Sequence, residues 1–387
     1  MWVFVCNKQC YPYVDPTPLH LGADDIPALT WRQRYKYLGC PVGAGSAQDL
    51  SSIKDSLQRD TELLMTSPLA EWHKLDAYRR FLYPRLTYAL KIFFPGSSWC
   101  RKLDTGTRKW LKKAVCIPSR SCSSYLYTPQ NIGGLGIPCI EDEMHIARVA
   151  QAFKFLADTR DPVVRKIAMS QLQDVVKRRG RLPKLATVSI DQSLWSSVRA
   201  SLTHTHSTIQ ISPESASIHC GDKTVHWHKR QEVNQVLKSP TYHRHLTSLR
   251  EATDQGRANF STSLAEASNY FIYSSAFLTF AQYRFTLRAR LNLLPTRTVQ
   301  ARRGKAITDT RCRLCHQAEE TLSHVTNHCL HNMGLIRERH NAILERLIRA
   351  IPPSLGDKFK EQPLPNTSGA NGLRDYHRTG RSLSDDY

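Results

Sequence analysis

Cys312-Arg-Leu-Cys315, His324 and Cys329 fall within eighteen residues and read as Cys-x2-Cys-x8-His-x4-Cys. Three thiolates and one imidazole are the donor set of a closed, tetrahedral structural zinc site. Such a bond to Zn2+ substitutes for a hydrophobic core in a segment too small to have one. Cysteines outside a ligand set are usually buried singly as small apolar residues; here the spacing argues for a zinc knuckle. His316, His328, His331 and His340 crowd the same stretch, and each is an alternative nitrogen ligand. His324 is preferred because Glu319-Glu320-Thr321-Leu322 reads as a helix start. That helix would carry His324 and the region of Cys329 toward the Cys-x2-Cys turn.

Other chemistry lacks its residues. The chain has no Gly-x-x-x-x-Gly-Lys loop and no Gly-x-Ser-x-Gly elbow, so a nucleotide hydrolase or a serine esterase has no support, and no small-molecule substrate is evident. His204-Thr-His206 and His226-Trp-His228, with His219 and Cys220, could form a second metal site, but alternating histidines are expected singly on a solvent face. Gly22-Ala23-Asp24-Asp25 imitates the paired aspartates that hold two metal ions for phosphoryl transfer. Only 23 residues precede Asp24, too few for the strand bearing a third carboxylate, and Ile26-Pro27 continues a catalytic strand poorly. No catalytic residue is assigned.

The charge balance speaks to partners. Lys plus Arg number 54 against 33 acids, a formal net charge of +21 over 387 residues. A surplus of this size argues for nucleic acid first and an anionic membrane second. Between Ala267 and Thr308 there is no acid, against Arg284, Arg288, Arg290, Arg297, Arg302, Arg303 and Lys305. Arg284 and Arg288 are i,i+4 neighbours with Tyr283 beside them, a pattern that suits phosphate oxygens. A second cluster joins Arg101, Lys102, Arg108, Lys109, Lys112 and Lys113 against Asp104 alone. Basic helices within a larger folded chain argue against a membrane partner. There is no membrane-length apolar run, and the apolar stretch at Met1–Cys6 is shorter than a signal peptide, so a soluble intracellular protein is expected. Eleven cysteines, an odd number, argue for reduced thiols plus a metal rather than a disulfide framework.

The elements that must position these residues are mainly helical, with small β elements. Strand-like runs occupy Met1–Cys6 and Lys36–Val42. Leu75, Tyr78, Leu82, Leu86, Ala89 and Phe93 form an amphipathic stripe kinked at Pro84. Trp99, Leu103, Thr107, Trp110, Leu111 and Ala114 form a second stripe, and Ile146, Val149, Ala150, Phe153 and Leu156 a third, opened by Glu141-Asp142-Glu143. Gly133-Gly-Leu-Gly-Ile-Pro138 is a tight connection between them. Residues 166–185 read as basic and mobile. Thr208-Ile-Gln-Ile-Ser and Thr224-Val-His-Trp suggest a small sheet. Helices run from about 240 to 295 with Phe277, Phe280, Leu287, Leu291 and Leu294 on one face. A last helix carries Ile343, Leu344, Leu347, Ile348 and Ile351 and stops at Pro352-Pro353, before a polar tail expected to be disordered.

Tyr35-Lys-Tyr-Leu-Gly39 followed by Phe81-Leu-Tyr-Pro-Arg-Leu86 resembles the end of the palm and start of the thumb in non-LTR retrotransposon reverse transcriptases. Gly133–Pro138 resembles the connection after that thumb. Leu287-Arg-Ala-Arg-Leu-Asn-Leu-Leu-Pro-Thr-Arg297, the knuckle with Glu320-Thr-Leu-x-His324, and Arg339-His340 resemble the linker and zinc knuckle of one clade. Elements of that clade, of type 1, insert into ribosomal RNA genes and encode one polyprotein with a restriction-like endonuclease. The resemblance implies an RNA-directed DNA polymerase family that works by target-primed reverse transcription in the nucleus, with template RNA and target DNA as partners. It divides the chain into the end of a palm (1–50), a helical thumb (51–165), a basic linker of helical or mixed structure (166–305), the zinc knuckle with its following helix (306–351) and the start of an endonuclease region (352–387). The endonuclease's Pro-Asp…Asp/Glu-x-Lys constellation is missing, since Asp357, Lys358, Asp375, Asp385 and Asp386 do not have its spacing.

Two readings follow. In the first, the chain is a nucleic-acid-handling fragment of such a polyprotein, without the catalytic carboxylates of either enzyme and inactive alone. In the second, it is a noncatalytic, zinc-dependent protein-interaction module derived from such an element.

Overall fold

The computed structural model describes residues 50–352, apart from positions 94, 159, 182–193, 253, 265 and 274–276, together with Gly22 and six short strands before residue 43. Those strands pair as three antiparallel hairpins: β1 (Phe4–Cys6) with β2 (Pro12–Val14), β3 (Leu19–Leu21) with β4 (Asp24–Ile26), and β5 (Tyr35–Tyr37) with β6 (Cys40–Val42). Of the strand-like runs expected at Met1–Cys6 and Lys36–Val42, the first holds β1 and the second is divided between β5 and β6. Asp24 and Asp25 lie in strand β4, opposite Leu21 and His20, across a turn at Gly22 with φ +65°.

The rest is mainly helical, as the stripes require. α1 (Ser51–Thr66) precedes α2 (Glu71–Ala77), which widens into a π turn at Tyr78–Leu82 before α3 (Pro84–Ile92). Pro84 begins α3, where its missing N–H costs nothing, and the π turn absorbs the kink that its ring imposes. α4 (Ser97–Ala114) and the single turn α5 (Ser124–Tyr127) lead to the glycine connection and α6 (Ile140–Ala157). Two features make that connection glycine-dependent. Gly133 and Gly136 have φ of +95° and +61°. A Cβ at Gly134 would lie 2.1 Å from the Thr128 carbonyl oxygen.

α7 (Pro162–Arg181) occupies much of the stretch read as mobile. Its start is written in the sequence: Asp161 Oδ1 accepts from the amides of Val163 and Val164, and Pro162 sits at the first helical position. The high polarity of 166–185 masked this signal. α8 (Leu194–His204) is followed by an antiparallel sheet of β7 (Ser207–Ile211), β8 (Ala216–Cys220) and β9 (Lys223–Val225), whose central strand the sequence reading missed. α9 (Val233–Glu251), α10 (Arg257–Thr262), α11 (Tyr270–Tyr273) and α12 (Phe280–Arg290) follow. α12 opens with a capping box between Thr279 and Gln282. Leu287 and Leu291 are buried, but Phe277 precedes the helix and is 87% exposed, and Phe280 is also exposed. The buried face of α12 is completed by Tyr283 instead.

Contacts divide the chain into two compact units, Met1–Leu294 and Pro295–Tyr387. In the first, one core joins Tyr78, Leu111, Tyr125 and Leu135 to Leu249, Tyr283 and Leu291, so residues on both sides of position 165 share one interior. A second core packs α6 and α8 against the sheet and α9 through Phe153, Trp195, Ile218 and Leu237. A third joins α1, α3 and α4 to the start of α6 through Leu57, Leu86, Leu103 and Ile140. The second unit contains α13 (Arg297–Arg302), the cysteine–histidine segment and α14 (Met333–Ala350), which ends before Pro352. Position 305, proposed above as a boundary, falls inside this unit.

Candidate metal centre and basic surfaces

Cys312 and Cys315 flank a tight turn. The Cys312 amide donates to the Ala318 carbonyl at 2.7 Å and the His316 amide donates back to the Cys312 carbonyl at 2.9 Å. The predicted helix starts at Leu322, and Thr321 Oγ1 accepts from the His324 amide at 3.1 Å. One π turn, His324–His328, then delivers Cys329 back to the cysteine turn. The four ligand atoms of Cys312, Cys315, His324 and Cys329 all lie within 4.8 Å of one another; His316, His328, His331 and His340 are outside the group. Cys312 Sγ is 3.9 Å from Cys329 Sγ, and Cys315 Sγ is 3.2 Å from His324 Nε2. Zinc–sulfur bonds of about 2.3 Å in a tetrahedron give sulfur–sulfur edges of about 3.8 Å, so this cluster can hold a metal ion. The Gln317 amide, donating toward the sulfur, brings the Cys315 thiol down to about 6, which favours the thiolate that a metal needs.

The turn is braced by Glu320, a residue whose role sequence reasoning missed. Its side chain is 4% exposed. Oε1 accepts from the Arg297 amide and Oε2 from the Arg313 amide, both at 3.0 Å, while the Arg313 guanidinium donates to both oxygens. Hydrogen bonding from Arg313 outweighs burial and holds the carboxyl near 2. The signal available was a lone acidic pair, Glu319-Glu320, inside a strongly basic stretch.

A second group, Cys139, Asp142 and His245, also places three ligand atoms together. Its chemistry is structural. Asp142 accepts from His204 Nε2 and His245 Nε2, each at 2.7 Å, and pairs with Arg244. Burial alone would raise the Asp142 carboxyl, but those histidine hydrogen bonds and the Arg244 charge hold it well below the usual range. Burial pushes the Cys139 thiol up, keeping it protonated. His204 therefore ties α8 to α6, and is not the isolated surface histidine expected. His219 bonds Ser217 and Thr224, Cys220 is in the core, and the His226 and His228 rings stack 5.9 Å apart, so these residues do not converge with His204.

The basic residues separate into two kinds. On α4, Lys102, Lys109 and Lys113 are exposed. At about 100° per residue they lie within about 40° of one another, a single lysine stripe about 16 Å long. Lys109 and Lys113 place their ammonium groups 5.7 and 4.7 Å from the Trp110 ring centroid. Arg101 is exposed and pairs with Glu141 at 3.4 Å, and Arg108 donates to Thr105. Lys112, by contrast, is only 4% exposed and donates to the carbonyls of Ser119 and Ser121 and to Ser123 Oγ. Asp104, the lone acid of the helix, turns inward and accepts from the amides of Ile140 and Glu141 at the start of α6. Burial raises its carboxyl to about 6.

The arginines after residue 280 are largely engaged within the protein. Arg284 pairs with Glu71, which is 2% exposed. Arg288 donates to the Cys116 carbonyl at 2.8 Å. Arg290 bonds Asn269 and the Ser268 carbonyl and lies over the Phe271 ring. Arg297 reaches Asp309 and the Arg311 carbonyl, and Arg302 bonds the Thr298 carbonyl. Arg302, Arg303 and Lys305 are exposed. Tyr283, read as lying beside a phosphate-tracking face, is fully buried.

Site and fold together define a class: a basic, mainly helical chain with a Cys3His module able to hold a metal ion. No protein-family model matches it. The Pol polyprotein of the type-2 retrotransposable element R2DM of Drosophila melanogaster is 22% identical over 374 residues, 94% of this chain and 30% of that one. The Pol polyprotein of a type-1 element R2 of Bradysia coprophila is 24% identical over 334 residues, 85% of this chain and 32% of that one. An uncharacterized Caenorhabditis elegans protein, T26G10.4, is 30% identical over 161 residues, 41% of this chain and 46% of its own length. The chain is thus homologous to Pol polyproteins of non-LTR retrotransposons of the R2 kind, type-1 elements included, and spans 30–32% of the length of the two polyproteins described.

Proposed function

We propose that this chain is a nucleic-acid-handling part of a non-LTR retrotransposon reverse transcriptase and endonuclease polyprotein. It grips the backbone of template RNA or target DNA in the nucleus and contributes binding, not chemistry, to target-primed reverse transcription. Zn2+ held by Cys312, Cys315, His324 and Cys329 folds the second unit and performs no reaction step. The observation that carries this reading is the exposed stripe of Lys102, Lys109 and Lys113, on a helix whose only acid is turned inward. Phosphate contacts release counterions, at about 0.9 log unit of affinity per contact for each tenfold change in salt on duplex DNA and about 0.7 on single strands. Replacing all three lysines with glutamine should therefore flatten the salt dependence by about 2–3 log units per decade. An unchanged slope in a fluorescence-anisotropy titration of labelled RNA and duplex DNA would overturn the reading.

One observation favours the alternative of a zinc-dependent protein-interaction module. α14 has no buried residue and exposes Leu335, Ile343 and Leu347. Apolar docking there would be nearly insensitive to salt, so the same titration separates the two.

A further inference from the structure

We infer that Arg160 and Arg230, both stacked on Trp227, form a second phosphate-binding site for a nucleic-acid backbone. The inference rests on the reading that the chain binds nucleic acid, but uses residues that no charge run in the sequence marks. Trp227 follows the buried Val225 of β9 and packs, half-buried, against the core formed by α6, α8, the sheet and α9. Residues 227–232 form two short 3-10 turns that meet at a kink at Lys229, and Arg230, just past the kink, lies over the indole at 4.7 Å from its centroid. Arg160 arrives from the α6–α7 connection, 5.2 Å from the same ring. Two cations each within about 6 Å of one ring lie at most about 12 Å apart.

Over an indole, the guanidinium N–H groups not bonded within the protein can still meet phosphate oxygens in the fork geometry that matches them; Arg160 Nε is bonded to Asp158 Oδ1 at 3.4 Å. Stacking also restricts the side chain before any ligand arrives, so less freedom is lost on binding. Local acids compensate these charges weakly. Asp158 reaches Arg160 at 3.4 Å, with the arginine side chain 66% exposed. Among the described residues no carboxylate pairs with Arg230. The exposed His226, His228 and Lys229 add donors around the ring, against Glu232 at the end of the same turn.

α4 is fastened to the first turn of α6 through Asp104, and Arg160 follows the last. The 18 residues of α6 therefore lie between the attachment of α4 and Arg160. That helix is about 27 Å long at about 1.5 Å per residue.

The test uses the full zinc-loaded chain and a fluorescein-labelled single-stranded RNA of about 20 nucleotides, chosen to exceed the length of that helix. Arg160→Gln with Arg230→Gln should shallow the salt slope by about 1.4, two contacts at about 0.7 each. Arg160→Lys with Arg230→Lys keeps the charge but not the fork, so it should retain the slope and lose affinity several-fold. If the arginines only shield the indole from water, the glutamine variant will shift the melting temperature and leave the slope intact, which overturns the inference. Loss of salt-dependent binding in the triple-lysine variant, with none in the arginine variant, sinks the Trp227 site while sparing the proposed function. A wild-type chain that shows no salt-dependent RNA or DNA binding overturns both.

Discussion

Glu320→Gln isolates what the protein contributes to its metal site beyond the ligands. The Glu320 carboxylate receives two backbone amides and both ends of the Arg313 guanidinium, with Arg313 itself lying between Cys312 and Cys315. Glutamine keeps one oxygen and places an NH2 group where the other oxygen was. Two donors then face a donor, one of them a backbone amide whichever way the amide turns. Each unsatisfied buried donor costs about 1–3 kcal/mol, but Arg313 is 55% exposed and recovers part of its loss from water. A net cost of about 3 kcal/mol is about 100-fold in an equilibrium constant. Metal affinity and folding of such a segment are linked, so zinc in the variant should pass to a competing chelator at about 100-fold lower concentration than in the wild type. Chelator titration at neutral pH, with released zinc followed by a colorimetric indicator, measures this directly. Zinc retention within about threefold of wild type would refute the reasoning, showing that the cysteine turn keeps its shape without the carboxylate.

Replacing both Cys312 and Cys315 with serine should abolish about one equivalent of bound zinc in elemental analysis; unchanged stoichiometry would remove the metal site. Arg284→Ala strands the buried Glu71 charge and, discounted for the partial exposure of Arg284, should cost about 2 kcal/mol in urea unfolding. The same variant should leave the RNA salt slope unchanged, since that guanidinium is held by Glu71. Gly134→Ala forces a methyl to 2.1 Å from the Thr128 carbonyl and should destabilise the first unit by about 3 kcal/mol in the same assay. The Asp142 carboxyl is held below its unfolded value of 3.8, so its stabilisation is complete above that pH and is lost as pH falls through the lower folded value. Asp142→Asn should unfold more easily at neutral pH yet show a flatter acid limb below pH 3.8; an identical acid limb would refute the assignment.

Local signals in the chain were readable because their causes are local. The stripes of α2–α3, α4 and α6 follow from helical periodicity, the need for glycine at Gly133 from backbone conformation, and the Cys-x2-Cys-x8-His-x4-Cys set from a spacing that one turn and a short helix can close. The family resemblance lay in the same short segments. The fate of each charge was not legible. Lys112 and Lys113 are adjacent and chemically identical, yet one is buried against carbonyls and the other lies on the surface over Trp110. Arg284 looked like a phosphate ligand until its partner appeared 213 residues earlier. Asp104 caps a helix that starts 36 residues later, and Arg160 and Arg230 come near each other only through the one indole both lie over. The sequence by itself determined the amphipathic stripes of α2–α3, α4 and α6, the Cys3His donor set and the net charge. Which cations remain on the surface was decided by tertiary packing, because a buried polar group needs a partner and that partner is commonly on an element far away in the chain.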